Sequence, residues 1–577
     1  MNLGQLFRTL RHLRFSQIFE RIRYRIQRPL EFKSWFRVAA RTTRRAGGSN
    51  LNWSQSTTIA DFRPNKARIA EIIEDLDDDH LTLLNERLPF RGGDDWCMIG
   101  GRKSSRLWRY TLHYHRCLVE LSHVTGNEDL VANHLTDWID TCILGDVGFS
   151  HYPWNSYAIA TRLDNWRQLI ALLPEEFWGQ RPKLKQAFSK SLYLQTQYLL
   201  DHLEWDLRGN HLLRDALGLA SASSVIDGAL KFRAKSTAIN LVKSQIEEQI
   251  LDDGCHFELS PMYHVEFMLD LIKLHQLLPC ELLREQINMS LSKMWGYIVW
   301  LQHLDGTLAQ FNDGSLVDLN KLQVMLVNLG VKAGQRTRKG ARFFSDSGVF
   351  VSQSSRCATI MNAGKIAPSY QPGHAHADTF TIEISIDGNR VFIDPGTHSY
   401  DLNEVRSANR NTVSHNTVEI DGENSSEVWD IFRVGRRAEV FNSKMSFKEY
   451  GSIFESSHNG YRHLQGKPVH RREVICNDKT STIIVTDEIK GSGRHRIKGG
   501  WLLSPEWSVF KHSNGWKIVK DNLPVSIIIE GAEQKDINLR VGKATHHPNY
   551  GLSVHTCRLE WSLSCELPAV VKMKITY

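Results

Sequence analysis

The chain has 577 residues, 41% hydrophobic and 23% charged, with nine cysteines and a formal net charge of +7. That length exceeds one ordinary core, so two or more domains are expected, and the composition is globular rather than disordered or fibrous. No run of about 18 apolar residues exists to span a membrane. The cysteines are odd in number, dispersed and without CxxC pairs, which argues against a disulfide framework and fits a reducing compartment.

Charge is concentrated at the start. Residues 1–50 hold twelve Arg or Lys against two Glu, so the rest of the chain is slightly acidic. Leu3, Phe7, Leu10, Phe15, Ile18, Phe19 and Ile22 recur there at roughly helical spacing with Arg between them, which predicts a basic amphipathic helix within an N-terminal extension, 1–65. Such a helix suits an anionic membrane surface, the acidic body of the same protein, or steering of a polyanionic substrate. Nucleic acid is not expected, because no nucleic-acid module follows. The start is charged and lacks a secretory pattern, so a cytoplasmic or peripheral inner-membrane location is expected.

From 66 to 335 the apolar residues are spaced by three and four, as in 191–205, 239–251 and 262–278, with short Gly, Pro or polar breaks between. This predicts many helices in a bundle, solenoid or toroid. The stretch 330–348 is basic and Gly-rich and reads as a linker. Beyond it, 336–577, the period changes to two. Phe380, Ile382, Ile384 and Ile386 alternate with polar residues, Asp387-Gly388-Asn389 supplies a turn, and Val391 begins a return strand. Similar runs at 481–489, 515–520 and 524–531 predict an antiparallel sandwich. The fold class is therefore α followed by β.

Four clusters could carry chemistry. Asn210 and His211 lie between two helices, where Asn210 also suits a helix cap. His256, Glu258, Tyr263 and His264 surround a helix start at Ser260-Pro261, which would place Tyr263 in the first turn. His374, His376 and Asp378 lie in PGHAHADTF. Asp394 and His415 extend that cluster, and His376, Asp394 and His415 could form a three-ligand site of the kind zinc accepts.

These stretches, together with RLWRYTLHYH (106–115), PWNSYAIATRLDNW (153–166), SHNTVEIDG (414–422) and FRVGRRAEV (432–440), stand in an order that resembles the heparinase II/III family of polysaccharide lyases. The resemblance implies an N-terminal (α/α) toroid, a C-terminal β-sandwich, and a cleft at their junction for an anionic, uronic-acid-containing polysaccharide. It implies catalytic positions for Asn210, Tyr263 and His374, with His211 as a fourth member. It implies a mainly structural divalent metal, usually zinc, on His376, Asp394 and His415, and irregular backbone where His374 and His376 do different work. Arg162, Asn165 and Trp166 match a stretch near the sugar-binding face, although Arg162 also suits a buttress of the toroid. The basic extension is more like relatives linked to bacterial surface-polysaccharide synthesis than like secreted lyases. The implied reaction is β-elimination. The rival readings are a uronyl C5-epimerase, a non-catalytic glycan-assembly protein, and a zinc hydrolase, the last lacking an evident general-base Glu.

Overall fold

A computed structural model describes residues 3–26, 51, 65–97, 104–144, 152–333, 339–531 and 537–577. The chain forms two compact units. One comprises residues 14–249 and 267–291, and the other 1–13, 250–266 and 292–577.

The first unit is helical. Its main helices are α3 (Glu128–Thr141), α4 (Ser156–Leu172), α5 (Pro182–Asp201), α6 (Asn210–Val225) and α7 (Gly228–Gln249). In α5, Leu184, Phe188, Leu192 and Leu199 share one face and are buried, and Pro182 opens the first turn, where its missing N–H costs nothing. Helix α4 is capped by Asn155, whose side chain accepts from Ala158 N–H at 3.3 Å. It is buried nearly all round, so its polar residues need partners inside. Asp164 finds them in Lys273 at 2.8 Å and Ser221 at 2.9 Å. Helix α6 packs against α4 and α7. Gly218 permits that approach, since a Cβ there would lie 2.5 Å from Ala160 Cα.

The second unit is built mostly of antiparallel strands. A five-stranded sheet runs in sequence order through β1 (Gly340–Phe344), β2 (Val349–Gln353), β3 (Cys357–Asn362), β4 (Ile382–Ile386) and β5 (Asn389–Phe392). An eight-stranded and a four-stranded sheet follow, formed from residues 418–576. Strand Val469–Asn477 alternates buried and half-buried side chains, as a strand with one face on a core must. Phe350 and Ile384 of the first sheet, Val474 and Ile527 of the second, and Ile497 and Trp561 of the third join one apolar core. That shared core makes a sandwich. Part of the expected linker is itself a strand: Gly340–Phe344 pairs with Val349–Gln353, and Ala341 and Phe343 pack on the core.

The basic segment folds as two helices rather than one, α1 (Leu3–Leu10) and α2 over 15–26. The break coincides with a local cap, in which Gln17 Oε1 accepts from Arg14 N–H at 3.1 Å. Residues 27–50 and 52–64 of the extension lie outside the described residues.

Candidate active site and metal centre

In the β-rich unit, helix α8 (Pro261–Leu277) starts as its sequence implies. Ser260 Oγ accepts from Tyr263 N–H at 3.3 Å and donates to the Asp313 carbonyl at 2.6 Å. This fixes Tyr263 in the first turn. Its ring stacks on His374, with centroids 3.7 Å apart and planes 22° from parallel. Its hydroxyl bonds that of Tyr400 at 2.9 Å, and Tyr400 bonds Tyr550 at 2.6 Å. Burial pushes the Tyr400 and Tyr550 phenols up, and the charge on Asp313 adds to this. Both are therefore neutral hydroxyls at any physiological pH.

His374 and His376 lie in irregular backbone between strands, and both rings meet one carboxylate. Asp313 Oδ2 is 3.1 Å from His374 Nδ1, and Asp313 Oδ1 is 2.9 Å from His376 Nε2. Arg406, on a short helix Glu404–Arg410, grips both oxygens of Asp313, and Thr397 Oγ1 donates to it at 3.2 Å. Burial alone would raise Asp313, but Arg406 and the two imidazoles outweigh it and hold the carboxyl well below the usual range. The other nitrogen of His374 stands 3.3 Å from Glu258. The two histidines thus face different partners from a shared support.

His376, Asp394 and His415 are fully buried, and one ligand atom from each lies within 4.8 Å of the others. Burial lowers the His376 imidazole to about 3 despite Asp313, so it is the neutral form that a metal requires. His376 Nε2 bonds Asp313 and His415 Nδ1 bonds Asp394 at 2.8 Å, which leaves His376 Nδ1 and His415 Nε2 buried without a hydrogen-bond partner. Two orphaned imidazole nitrogens beside a carboxylate are a donor set that fits a transition metal. Asp313 behind His376 is the carboxylate support usual for a ligating histidine.

In the helical unit, Asn210 is the first residue of α6 and does not serve as its cap. Gly209 takes that position, with φ 59° and no side-chain bond. Arg208 and Gly209 both have positive φ, and Gln249 Nε2 holds the Gly209 carbonyl at 2.8 Å. His211, about a quarter exposed, bonds Glu204 at 3.0 Å.

Arg162, Asn165 and Trp166 are turned inward. Arg162 is fully buried, donating to Gln195 Oε1 (2.7 Å), the His113 carbonyl (2.9 Å) and the Pro153 carbonyl (2.8 Å), with Trp138 at 4.2 Å beneath the guanidinium. Asn165 donates to the Tyr114 carbonyl at 2.7 Å, and Trp166 to His115 at 2.9 Å while stacking on Phe188. With their donors satisfied inside, these side chains buttress the helices and offer a sugar no open face.

Asp313, Arg406, Tyr400 and Tyr550 were not singled out in the sequence. Tyr400 follows Asp394 by six residues, and Asp313 stands between Asn312 and Gly314, but neither pattern names a partner.

Residues 88–330 match the family description "Heparinase II/III N-terminus", and residues 336–562 match "Heparinase II/III-like, C-terminal". The chain belongs to the heparinase II/III family. A heparin-sulfate lyase of Bacteroides stercoris is 22% identical over 448 residues, covering 67% of this chain and 63% of that protein. One of Pedobacter heparinus is 23% identical over 364 residues, covering 57% and 54%. The aligned part therefore spans between about half and two thirds of these relatives' length. Among solved structures, heparinase III superposes with a TM-score of 0.75 at 16% identity, covering 95% of this chain and 91% of that one. The heparan sulfate lyase of Pedobacter heparinus gives 0.58 at 18% identity, covering 93% and 88%. These likenesses fix the fold as a helical toroid-type region followed by a β-sandwich, as heparinase II/III architecture requires.

Proposed function

We propose that the protein is a polysaccharide lyase that cleaves a uronic-acid-containing polysaccharide by β-elimination across C4 and C5. The observation that carries this reading is the Tyr263–His374 stack, which puts a phenol and an imidazole side by side, the first bonded to Tyr400 and the second to Asp313. The names of the related lyases and the family membership support it.

The C5 proton is hard to remove while the adjacent carboxylate is charged, so a donor must neutralise that group and stabilise the enolate-like intermediate. We assign this to the Asn210 amide, assisted by His211, which Glu204 orients. A base then takes the C5 proton and an acid protonates the leaving O4. Tyr263 acts as the acid. His374 acts as base for one C5 epimer, and Tyr263 serves both roles when both protons lie on its side.

His376, Asp394 and His415 would hold a divalent metal, with zinc the best match to two imidazoles and a carboxylate. Its charge would tie the segments bearing Asp394 and His415 to the one presenting His374, a structural role. The polymer we have in mind is a bacterial capsular or exopolysaccharide. Among the described residues no helix is long and apolar enough to cross a membrane.

The test is incubation of the purified protein with a panel of uronic-acid polysaccharides, following the ultraviolet absorbance of the new conjugated double bond. A rise that vanishes in Tyr263→Phe supports the lyase. Absence of a rise, with C5 hydrogen exchanging into solvent at unchanged chain length, would replace it with the epimerase.

A further inference from the structure

Helices α1 and α2 are amphipathic the wrong way round for helices that belong only to a protein core. Their polar side chains face their own unit. In the β-rich unit, Arg8 bonds Glu427 at 2.6 Å and Thr9 accepts from Trp429 at 3.1 Å. In the helical unit, Arg14 meets Glu248 at 2.7 Å, Tyr24 donates to the Leu203 carbonyl at 2.5 Å, and Gln17 is fully buried. The large apolar side chains point outward instead. Phe7 is 70% exposed, Phe15 84% and Phe19 57%, and Leu3, Leu10, Ile22 and Ile26 are exposed with them.

Water is a poor partner for so many large apolar groups in twenty-four residues. At 8 and 12 residues the helices are too short to span a bilayer. Exposed Arg11 and Arg25 accompany the apolar side chains, and residues 1–50 carry a net of +10. A second copy of the chain would bring the same positive charge against itself, whereas an anionic lipid surface meets both the apolar groups and the arginines. A soluble polyanion would satisfy the arginines and leave the phenylalanines in water. We propose that α1 and α2 are each an interfacial anchor for an anionic phospholipid surface, Phe7 on the first and Phe15 and Phe19 on the second inserting at the level of the headgroups. This proposal stands apart from the lyase reading, since it uses no residue assigned to the reaction.

The experiment is co-sedimentation of the full-length protein with vesicles. One set contains phosphatidylglycerol and phosphatidylethanolamine, the other phosphatidylcholine alone. The protein is expected to sediment with the anionic vesicles, with partitioning reduced by salt and by the zwitterionic lipid. The triple variant Phe7→Ser, Phe15→Ser, Phe19→Ser should bind about 100-fold more weakly while keeping its melting temperature. Arg11→Glu with Arg25→Glu should lose the preference for anionic lipid. Failure of the wild type to sediment, or equal binding by the triple variant, would overturn the anchor. So would a wild-type dimer in light scattering that the triple variant abolishes, because the face would then be a contact between copies. Activity on soluble polymer, measured in parallel, reports on the lyase reading alone.

Discussion

Asp313 reaches His374 with one carboxylate oxygen and leaves the other for His376, so the histidine of the proposed reaction and the histidine of the proposed metal site share a single anchor. Arg406 neutralises that anchor in a fully buried setting. Removing the carboxylate strands a buried guanidinium. Asp313→Ala is expected to lower stability by about 3–5 kcal/mol, read by urea denaturation, and to abolish elimination as well. A change under about 1 kcal/mol would show that Arg406 does not depend on Asp313.

Tyr263→Phe keeps the ring on His374 and deletes the hydroxyl. Elimination should fall by about a hundredfold to ten-thousandfold with the melting temperature little changed. Full activity would remove Tyr263 from the chemistry.

Metal removal offers an independent test of the buried triad. Elemental analysis should find a transition metal, and His415→Ala should lose it. Chelation should lower the melting temperature, because a ligand bound only by the folded state stabilises it. Neither metal content nor a chelator effect would be seen if the triad were only hydrogen-bonded.

The acid limb of stability should carry a signature of His264. Its Nδ1 accepts from His256 N–H at 3.1 Å, so Nε2 carries the proton and faces the Met294 carbonyl at 3.1 Å. Burial lowers this imidazole to about 3. As the pH falls from about 6.5 towards 3, the unfolded chain gains a proton that the folded one refuses, and stability drops. His264→Gln keeps an acceptor and a donor without titrating. Its melting temperature should fall less steeply over this range, and parallel curves would disprove the assignment.

Gly218→Ala tests the closeness of α4 and α6. The added methyl meets the Ala160 backbone, so a loss of about 1–3 kcal/mol is expected. A neutral or stabilising substitution would mean that the two helices can part.

Much of this was legible from residue order. The hairpin over 382–392 follows from alternation and an Asp-Gly-Asn turn, and Ser260-Pro261 marks a helix start. His376, Asp394 and His415 stand out by residue type. Asp313 does not, because it sits in an irregular loop and acts on residues some sixty positions away. Tyr550 lies 150 residues beyond Tyr400, a distance no local pattern encodes. Arg162, Asn165 and Trp166 show a different limit. Helix α4 is buried nearly all round, so its periodicity does not say which side is open.

The row of hydroxyls from Tyr263 through Tyr400 to Tyr550 also has a polarity. Each phenol has one proton to give and two lone pairs to receive one, so Tyr400 can donate to only one of its two neighbours but can accept from both. The direction in which Tyr263 presents its proton is therefore set by Tyr400 and not by Tyr263 alone.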